Sequence, residues 1–313
     1  MSGRHSSKNS KSGPAEAAGI ALEPLADGLN RQLGKLCAAA LAPGLYLVST
    51  PIGNLADLTV RALFTLAAAD ILLCEDTRHS RKLLSAYGIE RKLEAYHDFS
   101  GDKDRARILA ALGQGKTVAL ISDAGTPLVA DPGFKLVREA LAEGVKAFAI
   151  PGPSAVLAAL VTSGLPSDRF YFGGFLPAKD GARRDELERA RTIPGTLIYY
   201  ETGGRLEETL QALNGIFPDR PVAAARELTK LYETVSKGSA AELAQQFKEN
   251  APPGEFVILI GPGETEPATT EDIERALRNR MKSVSLKEAV EEVARSLGVG
   301  RKAVYNLALK LKE

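Results

Sequence analysis

The chain has 313 residues, a formal net charge of +1, and 44% hydrophobic against 25% charged residues, which suits one large or two medium globular domains with sizeable cores. A net charge so close to zero excludes a uniformly basic nucleic-acid binder, so any basic surface has to be local. Two scattered cysteines, Cys37 and Cys74, exclude a disulfide framework and fit a reducing cytoplasm, and no apolar run approaches the roughly 20 residues a membrane helix needs.

Residues 1–43 read as a flexible basic leader. MSGRHSSKNSKSG is polar, carries Arg4, Lys8 and Lys11 ahead of the first acid at Glu16, and lacks the apolar stretch of a secretory signal. It is either a disordered leader or a weak RNA-contacting arm.

From Gly44 strands and helices alternate. GLYLVST, ILLCED, TVALIS and VKAFAIP are short continuous apolar runs, the pattern of strands buried on both faces, and helical segments separate most of them. Residues 44–165 are therefore expected to form an α/β unit with a largely parallel sheet. A second α/β unit is expected over 166–265, from the strands RFYFGGF, TLIYYET, PVAAARELT and EFVILIGP and the helices between them. Over 280–313 the composition turns basic, with eight Lys or Arg against four Glu, a local net of +4. A capping box at Ser285 and Glu288 opens LKEAVEEVARSLG, a turn follows, and KAVYNLALKLK closes a helical hairpin resembling half of a helix-turn-helix.

Familiar cradles fail on spacing. GQGKT has Ala110 where a phosphate loop needs its first glycine, and it precedes a strand. No G-x-G-x-x-G follows the first strand, no G-x-S-x-G elbow occurs, and three histidines with two cysteines give no ligand spacing, so no metal is expected. What remains is a set of strand-end loops, STPIGN, SDAGTP, PGPSA and YETGGR, rich in Gly, Pro and small hydroxyls. In open α/β sheets ligands bind beyond the carboxyl ends of strands. Each loop alone passes for an ordinary turn; four together point to a site. In SDAGTPLVADPG, Asp123 is placed to take a polar group of a ligand, Ala124 and Gly125 leave room, and Asp131 followed by Pro132 reads as the N-cap of the next helix.

LVSTPIGNLADLT, CEDTRHSRKLL, SDAGTPLVADPG, PGPSA, YYETGGR, ARELTKLYE and GEFVILIGP occur in this order. Together they resemble the small-subunit ribosomal RNA methyltransferase I family, a branch of the tetrapyrrole-methylase (class III methyltransferase) fold, over about residues 44–313. The resemblance implies a homodimer that uses S-adenosylmethionine to methylate the ribose 2′-OH of a cytidine in the decoding region of 16S rRNA, with the small ribosomal subunit as its partner and the cofactor cleft between the two α/β units. It places Pro51, Ile52, Ser122, Asp123, Thr126, Ser154, Ala155, Tyr200, Glu201 and Ala225 at the cofactor. Lys230, Glu227 and Asp76 become the candidates for catalysis, and Arg78, His97, Arg301 and Lys302 for RNA contact. The family often continues YHEHN where this chain has YHDFSGD, so His97 matches and the residues after it do not.

Plainer readings stand beside these. Asp76 or Thr77 caps the helix RKLL, RELTKLYE is a solvated strand end with ion pairs, and the basic C-terminal helices are a dimer contact or simply solvated. A small-molecule methylase acting on a tetrapyrrole, and an RNA-binding assembly factor without catalysis, are the alternative functions.

Overall fold

The computed structural model describes residues 21–97, 100–248, 253–263 and 269–311. Leader residues 1–20, residues 98–99 and Lys312 lie outside the described residues. The leader expectation needs a correction: Leu22–Cys37 forms helix α1, which lies against α2 (Val60–Ala68). No helix among the described residues is long and apolar enough to cross a membrane.

The first sheet contains β1 (Gly44–Val48), β2 (Ile71–Cys74), β3 (Leu93–Ala95), β4 (Thr117–Ile121) and β5 (Ala147–Ile150), ordered β3-β2-β4-β1-β5 with every pair parallel. Both faces are covered, which is why the strands read as unbroken apolar runs. Tyr46, Val48, Leu72 and Ala119 pack with Ala62 and Leu66 of α2 and Leu83 and Leu84 of α3 (Thr77–Ala86). Leu45, Leu73, Val118 and Leu120 pack on the other side with Ile108 and Leu112 of α4 (Asp102–Gly113) and Leu136 and Ala140 of α5 (Phe134–Ala142). The chain order reverses around β1 and β4, so the loops leaving these two strands flank a crevice.

Helix α6 (Ala155–Ser163) is the joint between the units. Ser154 caps it, accepting from the Leu157 N–H, and Gly164 ends it in a left-handed turn at φ 74°. Its Val156, Ala159 and Leu160 pack on Ile198, Ala223, Ala225, Val257 and Leu259 of the second sheet. That sheet holds β6 (Phe170–Phe175), β7 (Thr196–Thr202), β8 (Pro221–Arg226), β9 (Thr234–Ser239) and β10 (Glu255–Ile260) in the order β6-β7-β10-β8-β9. β6 runs parallel to β7 and the other pairs are antiparallel. Its far face packs with α7 (Asp180–Ala190), α8 (Leu206–Ile216) and α9 (Ala240–Lys248).

The C-terminal unit has three helices where the sequence suggested a hairpin. α10 (Thr270–Arg280), α11 (Leu286–Leu297) and α12 (Arg301–Lys310) bury Leu277, Val290, Val293, Val304 and Ala308 in a small core of their own. Ser285 and Glu288 form the expected capping box of α11.

Candidate active site

The crevice is built by stitching three loops together. Thr50 and Gly125 exchange backbone hydrogen bonds of 2.8 and 3.0 Å, which ties the loop after β1 to the loop after β4. Thr50 Oγ1 donates to the Ser122 carbonyl at 3.1 Å, and the Ser49 and Thr126 hydroxyls lie 2.9 Å apart. Thr126 Oγ1 reaches the Pro153 carbonyl at 3.4 Å, which brings in the PGPSA loop ahead of α6. Gly125 has φ 79°, a backbone that a side chain rarely tolerates.

The second sheet supplies the opposite wall. Its register sets Tyr200, Val257 and Ala225 side by side on β7, β10 and β8, and Phe175 packs edge-on to Tyr200 at 5.2 Å. Across the mouth the Asn54 N–H donates to Thr229 Oγ1 at 3.1 Å. A Cβ on Gly53 would stand 2.5 Å from Lys230 Cγ, so the two units meet closely there. Between the walls lies a cavity of about 370 Å³, within the range of small-molecule sites.

Ile52, Asp123, Thr126, Ser154, Ala155, Tyr200, Ala225, Glu227 and Lys230 all line this cavity. Glu201 does not. Alternation along β7 turns it to the far face, where it is fully buried, bonded to Arg205 and Thr209 and capped by the Thr202 N–H. The rest of YETGGR is absent from the lining too. Pro51 and Ser122 are buried and absent from the lining. Asp76 lies outside the lining as well: it caps α3 by accepting from the Arg78 N–H at 2.7 Å, which holds its carboxyl below the usual range. Its backbone N–H donates to Asp123 Oδ1 at 3.0 Å. Arg78 and His97 are exposed, and Arg301 and Lys302 sit at the start of α12 on the C-terminal unit.

Asp131 is the residue the sequence misassigned. Helix α5 begins only after Gly133, whose φ of 121° makes it the N-cap position, and Asp131 instead lines the cavity with Glu75, Asp123 and Glu255. Burial pushes its carboxyl up to about 6, against a hydrogen bond from Ser122 that pulls it down, and Glu75, Asp123 and Glu255 add repulsion. Burial, with Asp131 and Glu255 nearby, raises the Tyr200 phenol to about 12.

Non-glycine residues with left-handed backbones among the described residues are Leu128, Ala130, Glu227 and Thr229. They fall in the two loops that close the cavity, and Ala130 and Glu227 line it. Strain concentrated this way is a mark of functional sites. Glu227 and Lys230 form an ion pair at 3.2 Å at the mouth, with the lysine half-exposed. Phe175 and Glu255 were not foreseen; both sit at strand ends that enter the cleft from the second sheet.

The crevice lies at strand ends between the two α/β units, with Glu75, Asp123, Asp131, Glu227 and Glu255 in its lining. Residues 44–244 match the family model of Tetrapyrrole (Corrin/Porphyrin) Methylases, and residues 267–312 match the RsmI C-terminal HTH domain. The chain is similar to the ribosomal RNA small subunit methyltransferase I of Mesorhizobium japonicum, with 48% identity over 88% of this chain and 95% of that protein. The protein of the same description from Escherichia coli O157:H7 is 43% identical over 85% and 94%. Among solved structures, a diphthine synthase superposes with a TM-score of 0.54 at 17% identity, over 69% of this chain and 89% of that one, a likeness of fold alone. The chain belongs to the ribosomal RNA small subunit methyltransferase I family. It is a methyltransferase that uses S-adenosylmethionine.

Proposed function

We propose that the protein transfers the methyl group of S-adenosylmethionine to the ribose 2′-OH of a cytidine in the decoding region of 16S rRNA, acting on the small ribosomal subunit in the cytoplasm as a homodimer. The observation that carries this reading is the cavity itself: a pocket lined by carboxylates whose mouth presents one ammonium among the described residues, Lys230, in an ion pair with Glu227.

The residues present fit the cofactor. Ala124, Gly125 and Ala155 leave room for a ligand against the backbone, and Thr126 and Ser154 add small hydroxyls. Asp123, Asp131, Glu75 and Glu255 make a negative lining suited to a ligand that carries sulfonium and ammonium charges. Ile52, Tyr200, Phe175 and Val257 give apolar surface for a heteroaromatic ring. When bound, the cofactor would supply an electrophilic methyl group on a sulfonium that leaves as a neutral thioether, so no general acid is required.

The chain's own residues then position the acceptor. Lys230 offers its ammonium to the attacking ribose oxygen or the adjacent phosphate, which favours the partly ionised hydroxyl. Glu227 orients that ammonium, and its left-handed backbone fixes the pair at the mouth. Orientation of the two reactants accounts for much of the barrier lowering. Arg78, His97, Arg301 and Lys302 are assigned to RNA contact, outside the cavity. Leu157 and Val161, one turn apart on the exposed side of α6, offer apolar surface for the second protomer.

The test is methyl transfer from labelled S-adenosylmethionine to small subunits purified from a strain lacking this protein. Label in 2′-O-methylcytidine supports the reading. Label on a base, or transfer only to a tetrapyrrole, rejects it.

A further inference from the structure

A second groove lies at the other end of the second sheet from the active site. It runs between the C-terminal helices and the segments that lead into β6, β7 and β8, and encloses about 960 Å³. Arg169, Arg191, Arg220, Arg275 and Arg295 line it, against Asp168 and Asp272. Arg275 is paired with Asp272 at 2.6 Å, Arg295 with Glu291 at 3.7 Å and Arg191 with Glu188 at 3.8 Å. Among the described residues no ion pair reaches Arg169 or Arg220.

Arg220 is held in a costly arrangement. Its guanidinium stacks over Phe217 at 4.6 Å and donates from Nη2 to the Arg191 carbonyl at 2.8 Å. Its Nη1 is buried with no hydrogen-bond partner. Burial and the neighbouring Arg191 charge both lower its pKa. A cation fixed beside a like charge, with no ion pair among the described residues, favours an anion in the groove, and the planar fork of arginine matches phosphate oxygens.

The groove is open, encloses about 960 Å³ and takes arginines from both the second α/β unit and the C-terminal helices, so it suits a chain of phosphates better than one small anion. From Gly195 in the groove to Tyr200 in the cleft is roughly 17 Å, at about 3.3 Å per residue along β7. A polyanion in the groove therefore lies several residues' length from the acceptor ribose and cannot belong to the reacting nucleotide. We propose that this groove is a second anchoring site for the substrate RNA, in which Arg169, Arg191 and Arg220 hold backbone phosphates remote from the methylated ribose. The inference rests on the rRNA reading above. Binding energy from such a remote part of the substrate sets affinity and register, leaving the chemistry to the cleft.

The experiment compares wild type with R169Q/R220Q, and with R169Q/R191Q, in which both altered residues are exposed and substitution leaves Arg220 seated on Phe217. The probe is the small subunit from a strain lacking the protein. Each double variant is expected to keep S-adenosylmethionine affinity and kcat, to raise KM about tenfold at 0.1 M salt, and to flatten the plot of log affinity against log salt by about 0.7–0.9 per lost phosphate contact. R169K/R191K, which keeps both charges, is expected to restore most of the slope. Wild-type KM and salt slope in both glutamine variants overturn the proposal, as does a lowered cofactor affinity in the exposed pair, which would mark the arginines as structural. Wild type that binds cofactor but methylates no rRNA defeats the functional reading, whereas active wild type matched by both variants defeats only the groove.

Discussion

The Asp76 backbone N–H donates to Asp123 Oδ1 at 3.0 Å, so the loop after β2 holds the carboxylate that the loop after β4 presents to the cavity. Asp123 is thus both a wall of the cleft and a tie between adjacent strand ends. Asp123→Ala is expected to weaken S-adenosylmethionine binding by at least tenfold, while Asp76→Ala, which keeps that N–H, is expected to change it little. Titration calorimetry separates the two. Equal effects would show that the α3 cap, and not the Asp123 carboxylate, controls the site.

Asp131 sets a pH dependence. Its folded pKa of about 6 lies above the roughly 3.9 of an unfolded aspartate. The folded state therefore holds the extra proton, and the contribution to stability is present at low pH and is lost as pH rises from about 4 through 6. Asp131→Asn is expected to raise the melting temperature of the free protein most at pH 7.5 and by about half as much at pH 5. A cationic cofactor competes with the same proton, so wild-type affinity should weaken as pH falls below 6, and the Asn variant should lose that dependence. Thermal melts and calorimetry at both pH values check this, and a pH-independent difference in melting temperature would mean that Asp131 does not titrate there.

Lys230 and Glu227 should separate in kinetics. Lys230→Ala is expected to lower single-turnover methylation about 10–100-fold, roughly 1.4–2.7 kcal/mol of transition-state stabilisation, with cofactor affinity intact. Glu227→Ala is expected to lower the rate and also to raise the cofactor concentration required, since Glu227 lines the cavity directly. Full turnover by Lys230→Ala would leave the lysine as a surface ion pair.

Glu201 should behave as a structural residue. It is fully buried and bonded to Arg205, Thr209 and the Thr202 N–H. Glu201→Ala strands these partners and is expected to cost about 3 kcal/mol of stability. The variant should still bind S-adenosylmethionine normally at temperatures where it is folded. Lost affinity in a folded variant would return Glu201 to the cofactor site.

The parallel first sheet was readable because burial on both faces leaves continuous apolar runs. β3 and β9 were not: LEA is a three-residue edge strand, and TVSKGS is polar because an edge strand is half solvated. The first C-terminal helix was missed although Thr269 and Asp272 spell a capping box, a local signal present in the chain. The exclusion of Glu201 also lay within reach, since alternation along a strand cannot bring both Tyr200 and Glu201 into one cleft. Asp131 was beyond reach. Its position depends on left-handed backbones at Leu128 and Ala130, residue types that give no hint of such a conformation. Glu75 and Glu255 come from strand ends far apart in the chain, and only the docking of the second sheet brings them together.

The central claim, ribose methylation of 16S rRNA by this cleft, is tested most directly by mass-spectrometric mapping of 16S rRNA from a strain lacking the protein, complemented with wild type or with Lys230→Ala. The account expects one 2′-O-methylcytidine in the decoding region to vanish in the deletion strain, to return with wild type and to return weakly or not at all with the variant. An unchanged ribose-methylation map in the deletion strain would contradict it.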